Sequence, residues 1–170
     1  MRTLMRERRH DRLVTLKPAS LYDIVRRLSD AGLIEEQETV RDTRRPERTV
    51  YAITAAGREA LQQWVESALR DPRRTSEFPA ALSFMYALPR AAAINALRSR
   101  AADLSDTINA TEAGLEQARA DGVPEIFLSE ERYSQSLRRA EHRWLAQFIR
   151  QLDSGELVWP KSAAARVGER

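Results

Sequence analysis

KPASLYDIVRRLSDAGLIEEQETVRDTRRPERTVYAI, residues Lys17 to Ile53, is the stretch whose reading decides the fold. Pro18 fixes the backbone, and Ser20 has the side chain that caps a helix by accepting a bond from an otherwise unpaired amide. Leu21, Ile24, Val25 and Leu28 then step by three, one and three, which places them on one face of one helix. Gly32 ends that helix where a left-handed residue is wanted. Leu33–Val40 and Thr49–Ile53 read as two strands, and the polar run Arg41–Arg48 joins them as a hairpin loop. Thr54 is placed to cap the next helix, whose apolar residues Leu61, Trp64, Val65, Ala68 and Leu69 keep a helical period.

The order helix, strand, arginine-rich loop, strand suits a nucleic-acid partner. The loop carries Arg41, Arg44, Arg45 and Arg48 against only Asp42 and Glu47, and a hairpin loop needs polar residues but not four arginines. Charge is distributed to match. The chain holds 28 basic and 25 acidic residues, of which 13 and 9 fall between Met1 and Arg58, leaving 15 against 16 in the remainder. Glu35, Glu36 and Glu38 temper the excess, so affinity is expected to depend on geometry as well as on charge.

Beyond Arg70 the pattern is helical throughout. Asp71–Ser76 breaks the helix that follows Thr54 and marks a domain boundary. A short apolar helix follows with Phe78, Leu82, Met85, Tyr86 and Leu88 on or near one face, and Pro89 suits the start of the next. Ile94, Leu97, Ala101, Leu104, Ile108, Thr111 and Leu115 step by three and four alternately, the spacing of a packed helical seam. Gly122 and Pro124 end this helix. Ser129, with Glu130 and Glu131, opens the last one. Its expected inner stripe is Tyr133, Leu137, Ala140, Trp144, Phe148 and Leu152, with Leu145 and Ile149 beside it. Two such helices can pack as an antiparallel hairpin, yet the end of the last helix is apolar over more than one stripe and asks for further cover. Leu97, Leu104, Ile108, Leu115, Trp144, Leu145, Phe148, Ile149 and Leu152 are therefore the expected dimerisation residues.

Other chemistry finds little material. With no cysteine and only His10 and His142, the chain offers neither a thiolate nor a zinc-ligand spacing, and its six glycines form no phosphate-cradling loop. Neither an enzymatic activity nor a cofactor is expected, His142 reads as an exposed helix residue, and no apolar run reaches the ~20 residues of a membrane helix.

The runs Lys17-Pro18-Ala19-Ser20-Leu21-Tyr22, Arg26-Arg27-Leu28, Ala31-Gly32-Leu33-Ile34, Arg45-Pro46 and Tyr51-Ala52-Ile53-Thr54-Ala55-Ala56-Gly57-Arg58 occur in fixed order. Together they closely resemble the winged helix-turn-helix domain of the PadR family of bacterial transcriptional regulators. The resemblance is strong to Arg58 and loose to about Pro160.

It implies a mainly helical fold with a small hairpin wing: an N-terminally incomplete DNA-binding domain over residues 1–70 and a helical dimerisation domain over 77–160, while the small, polar and basic composition of 161–170 reads as a disordered tail. It also implies a cytoplasmic homodimeric repressor on a palindromic operator in double-stranded DNA. A helix in the major groove presents its first turn to base edges, which puts Lys17, Ser20 and Asp23 nearest the bases. Tyr22, Arg26 and Arg27 are expected on phosphates, as are Arg41, Arg44, Arg45 and Arg48 of the wing. Some relatives release DNA when a flat aromatic molecule binds between subunits, and Phe84, Tyr86, Trp144 and Phe148 are the rings available here for such an effector. The alternative function is a helical dimeric interaction protein that has lost DNA binding.

Two departures from the family pattern stand out. Arg44 replaces a glycine common before the wing's arginine-proline. The apolar helix with which such domains begin has no counterpart, Met1–Arg9 reading instead as the middle of the second helix. Met1 is accordingly expected to be an internal methionine of a longer chain, unless a partner subunit supplies the missing cover.

Overall fold

The computed structural model describes residues 18–40 and 48–160. These divide into two compact units, Met1–Trp64 and Val65–Arg170.

In the first unit, helix α1 runs from Pro18 to Asp30, strand β1 from Ile34 to Val40 and strand β2 from Arg48 to Ile53. Helix α2, Ala55–Arg70, starts in this unit. The helix α1 thus begins at Pro18, where the missing amide hydrogen costs nothing, and Ser20 lies inside the first turn rather than at the cap. Its end follows the glycine rule in detail. Gly32 has φ +67°, its amide donates to the Ser29 carbonyl, and the Leu33 amide donates to the Leu28 carbonyl, which satisfies two of the last free carbonyls. The strands form an antiparallel hairpin in which Ile34 faces Ile53 and Val40 faces Arg48, with a bulge between Glu36 and Glu38.

The second unit holds the last turns of α2, where Val65, Ala68 and Leu69 are buried. Helix α3, Phe78–Phe84, follows a turn at Asp71–Glu77 and passes into a 3-10 turn, Met85–Ala87. Two long helices complete the unit, α4 from Arg90 to Ala120 and α5 from Ser129 to Ser154. They run antiparallel, as the cross-bonds Arg98–Asp153 (2.7 Å), Gln135–Ile108 (2.7 Å) and Arg139–Glu112 require. Gly122, at φ +79°, ends α4 with the same pair of backbone bonds seen at Gly32. At the connecting turn Arg119 and Arg132 both hold Glu125, and the hydrogen bond from Arg119 keeps that carboxyl below its usual range.

The seam read from the spacing lies inside: Ile94, Leu97, Leu104 and Leu115 are buried, and Ala101, Ile108 and Thr111 are half-buried. On α5 the expectation needs correction. Tyr133, Leu137 and Trp144 are 65, 53 and 43 % exposed, and the inward face is instead formed by Gln135, Leu145, Ile149 and Leu152 with half-buried Glu131, Arg138, Glu141 and His142. His142 is thus not an exposed residue. Nor does Ser129 cap the helix; Leu128 occupies that position and the Ser129 hydroxyl donates to the Glu125 carbonyl.

The polar side of α5 faces inward because α4 gives it partners. The guanidinium of Arg100 is fully buried, 2.5 Å from the Glu141 carboxylate and 4.0 Å above the Phe78 ring. Its Nη1 donates to the carbonyls of Ala68 (3.4 Å) and Asp71 (2.6 Å) at the end of α2, the latter also accepting from the Arg74 amide at 3.1 Å. Gln135 donates to the Ile108 carbonyl from a buried side chain. Removing Glu141 leaves a buried cation without its counter-charge, so Glu141→Ala should destabilise the chain by about 3 kcal/mol. The double exchange Arg100→Met with Glu141→Leu should cost less than Glu141→Ala alone, and urea unfolding of both variants checks the order.

Candidate nucleic-acid interface

Among the described residues nothing packs on one side of α1. Tyr22, Asp23, Arg26, Arg27 and Asp30 are exposed at helical spacing, with Tyr22 at 79 %, whereas Leu21, Val25 and Leu28 on the opposite side are half-buried. Ile24 lies at the margin between the faces and is exposed. A helix enters a groove only along such a polar, unobstructed face. Arg26 and Asp23 form an i, i+3 pair at 3.3 Å with both side chains largely in water. A pair so exposed is worth at most about 1 kcal/mol and opens readily to a phosphate. Arg27 carries no such partner among the described residues.

What holds this face against the hairpin is Thr54. Its hydroxyl donates to the Gly32 carbonyl at 2.7 Å and accepts from the Gly57 amide at 3.0 Å, while its own amide donates to the Leu33 carbonyl at 3.1 Å. The end of α1, the base of the hairpin and the first turn of α2 therefore meet on one residue, which caps α2 as its sequence position led one to expect. Gly57 completes the joint. A Cβ built there would lie 2.0 Å from the Leu33 carbonyl oxygen, so only glycine lets α2 approach the hairpin this closely. The sequence reading did not single out Gly57 as a site residue, although a glycine two residues into a capped helix that has no reason to be weak was the available signal.

Of the other expected DNA contacts, Lys17, Arg41, Arg44 and Arg45 lie outside the described residues, as do the segment Met1–Arg9 and the tail 161–170. Ser20 sits in the first turn of α1, and Arg48 opens β2 opposite Val40, at the end of the hairpin that carries the loop.

In the second unit the expected dimerisation residues separate into two groups. Leu97, Leu104, Leu115, Leu145, Ile149 and Leu152 are buried within a single chain and Ile108 is half-buried, so the α4–α5 packing uses them; Trp144 keeps the largest exposed area of the set. The four rings expected at an effector site do not line one cavity. Trp144 stacks on Phe148 at 4.7 Å and meets the edge of Phe78 at 6.2 Å, whereas Phe84 lies against Tyr86 at 6.3 Å. Tyr86 and Phe148 border a common cleft; Phe84 and Trp144 do not.

Residues 4–63 match the model of the transcriptional regulator PadR-like family. The chain carries a PadR-like regulator domain. That match takes in all of α1, the hairpin and the Thr54 joint, so the exposed face and the residues that position it fall within the PadR-like segment. No curated protein matches the chain. Among the described residues no group of His, Asp and Glu is arranged to hold a metal ion, and no helix is long and apolar enough to cross a membrane.

Asp23→Ala releases Arg26 from its ion pair, so this variant should bind unrelated duplexes more tightly and steepen the dependence of that affinity on salt by up to about one unit. Fluorescence anisotropy across a salt series measures both. Thr54→Val removes the two hydroxyl bonds of the joint and should cost about 1–2 kcal/mol of stability, read from thermal unfolding, together with a loss of DNA affinity.

Proposed function

We propose that the chain is a sequence-specific, DNA-binding transcriptional repressor that acts in the cytoplasm as a homodimer on a palindromic operator. The single observation that carries this reading is the polar face of α1 left exposed among the described residues, fixed by Thr54 to a hairpin whose connecting sequence holds Arg41, Arg44 and Arg45 and whose second strand opens on Arg48. In this reading Ser20 and Asp23 face base edges from the first turn and a half of α1, together with Lys17, which precedes it in sequence. Tyr22, Arg26, Arg27 and the arginines 41, 44, 45 and 48 contact phosphates. A two-fold dimer sets two such helices about 34 Å apart, or a multiple of that, along the duplex.

The exposed stripe of α5 supports the dimer. Phe127, Tyr133, Leu137, Ala140 and Trp144 recur on one side of the helix and its preceding turn, and all are exposed. Tyr133, Leu137 and Trp144, aligned over about three turns, leave a contiguous wet surface of the kind that marks a protein interface. A second copy related by a two-fold axis offers the same stripe in return. A small aromatic molecule held in the second unit adjusts DNA affinity in this scheme.

Leu137→Arg should leave the fold intact, because the side chain is already half in water, and convert the dimer to a monomer. Sedimentation velocity reads the change. The same variant should lose at least about tenfold in operator affinity, since one half-site then binds without the second. The operator test is a mobility shift of the wild-type chain on the DNA upstream of its own gene at two salt concentrations. A retarded band that weakens with salt and resists unrelated competitor DNA is expected; an apolar dimer with no retarded band would instead make the protein a helical interaction module.

A further inference from the structure

We infer, resting on the DNA-binding function proposed above, that Asp23 selects the sequence: its carboxylate accepts a hydrogen bond from the N4 amine of a cytosine on the major-groove floor, while Arg26 and Arg27 hold phosphates on either side. Helix geometry points to this division. At about 100° per residue, the half-buried Leu21, Val25 and Leu28 fix the inward direction of α1, and the exposed Asp23 and Asp30 lie about 165° and 175° from it. Arg26 and Arg27, also exposed, fall to opposite sides of that outward line, each at about 130°.

The outward crest of α1 is thus acidic and its flanks are basic. A helix in a groove meets base edges with its crest and the two phosphate backbones with its flanks. The flank arginines therefore suit the groove walls, where they act alike on any sequence. Asp23 suits only the floor. Phosphates repel a carboxylate, so one on the crest lowers affinity for every duplex that offers it no donor. Asp23 is the sixth residue of the helix and Asp30 the last, which puts Asp30 about 10 Å further from the end that enters the groove.

The chemistry of the floor selects the base. Guanine presents acceptors at N7 and O6, and thymine an acceptor at O4 beside a methyl group, so neither gives a carboxylate anything to bond. Adenine and cytosine each present an amine. That of adenine is flanked by two acceptors, its own N7 and O4 of the paired thymine, whereas that of cytosine has O6 of the paired guanine on one side only. Cytosine is therefore the base a carboxylate favours. Oδ1 of Asp23 already accepts from Nη2 of Arg26 at 3.3 Å, with the Asp23 side chain 60 % exposed. A carboxylate has about four acceptor sites, so this bond directs the group and leaves room for an amine.

Selection of bound duplexes from a random pool by the full chain, followed by competition among duplexes carrying each base at each selected position, tests the inference. Expected of the wild type is one position per half-site at which cytosine is preferred at least about fivefold over the other bases. Asp23→Asn should change the preference at that position to adenine, whose N6 and N7 match an amide, and leave the other positions as they were. Asp23→Ala should lose the preference there and nowhere else. Because Asp23 is at the surface, both variants should keep the thermal unfolding of the wild type. An Asp23→Asn variant that selects the wild-type sequence, an altered position that is not cytosine in the wild type, or an Asp23→Ala variant that weakens preference at every position alike would each overturn the role of Asp23 and leave sequence-specific DNA binding standing. A wild-type chain that enriches no duplex would overturn the DNA-binding reading together with it.

Discussion

The hydroxyl of Thr54 is the point on which the first unit turns. It gives one proton to the end of α1 and takes one from the start of α2, while the amide of the same residue extends the hairpin. Individually such bonds are worth about 1 kcal/mol. Their value lies in convergence, since a helix that reads a groove must hold its angle to the wing beside it. Gly57 permits the convergence by leaving room for the Leu33 carbonyl. Among the described residues of this unit Gly57 alone is buried.

The second unit is organised on a different principle. A guanidinium with no access to water, that of Arg100, joins three elements by satisfying carbonyls at the end of α2, covering the Phe78 ring and pairing with Glu141 of α5. Buried ion pairs are seldom strongly stabilising against apolar packing, but they penalise every arrangement in which a partner is missing. Here that penalty fixes the rotation of α5 about its axis. Gln135 acts in the same sense one helical stretch away. With Glu141 and Gln135 turned inward, Tyr133, Leu137 and Trp144 are turned outward, and the apolar stripe that results is what a second copy would cover.

Much of this was legible in the residues themselves. Proline and glycine at the ends of α1, two β-rich runs about an arginine loop, and Thr54 before a helical period specify the helix, hairpin and cap, because each acts through neighbours in sequence. The α4 seam was legible for the same reason, its apolar residues recurring at three and four. The face of α5 was not. Hydrophobic period assigns the inside to Tyr133, Leu137 and Trp144, and it cannot register that Arg100, some forty residues earlier, makes Glu141 an inward residue. Ser20 was read as the cap but lies within the first turn, because Pro18 is as good a first helical residue as serine is a cap. The cleft that Tyr86 and Phe148 border escaped notice since its walls come from Leu82–Tyr86, Phe148–Leu152 and Leu157–Pro160, three segments with no common period.

DNA recognition by α1 and pairing through α5 make one geometric claim together, and hydroxyl-radical footprinting on a selected duplex addresses it most directly. Two protected segments centred about 10 base pairs apart, or a multiple of that, on one side of the helix are expected of a two-fold dimer with its α1 helices in successive major grooves. A single protected segment, or uniform protection that does not depend on sequence, would contradict it.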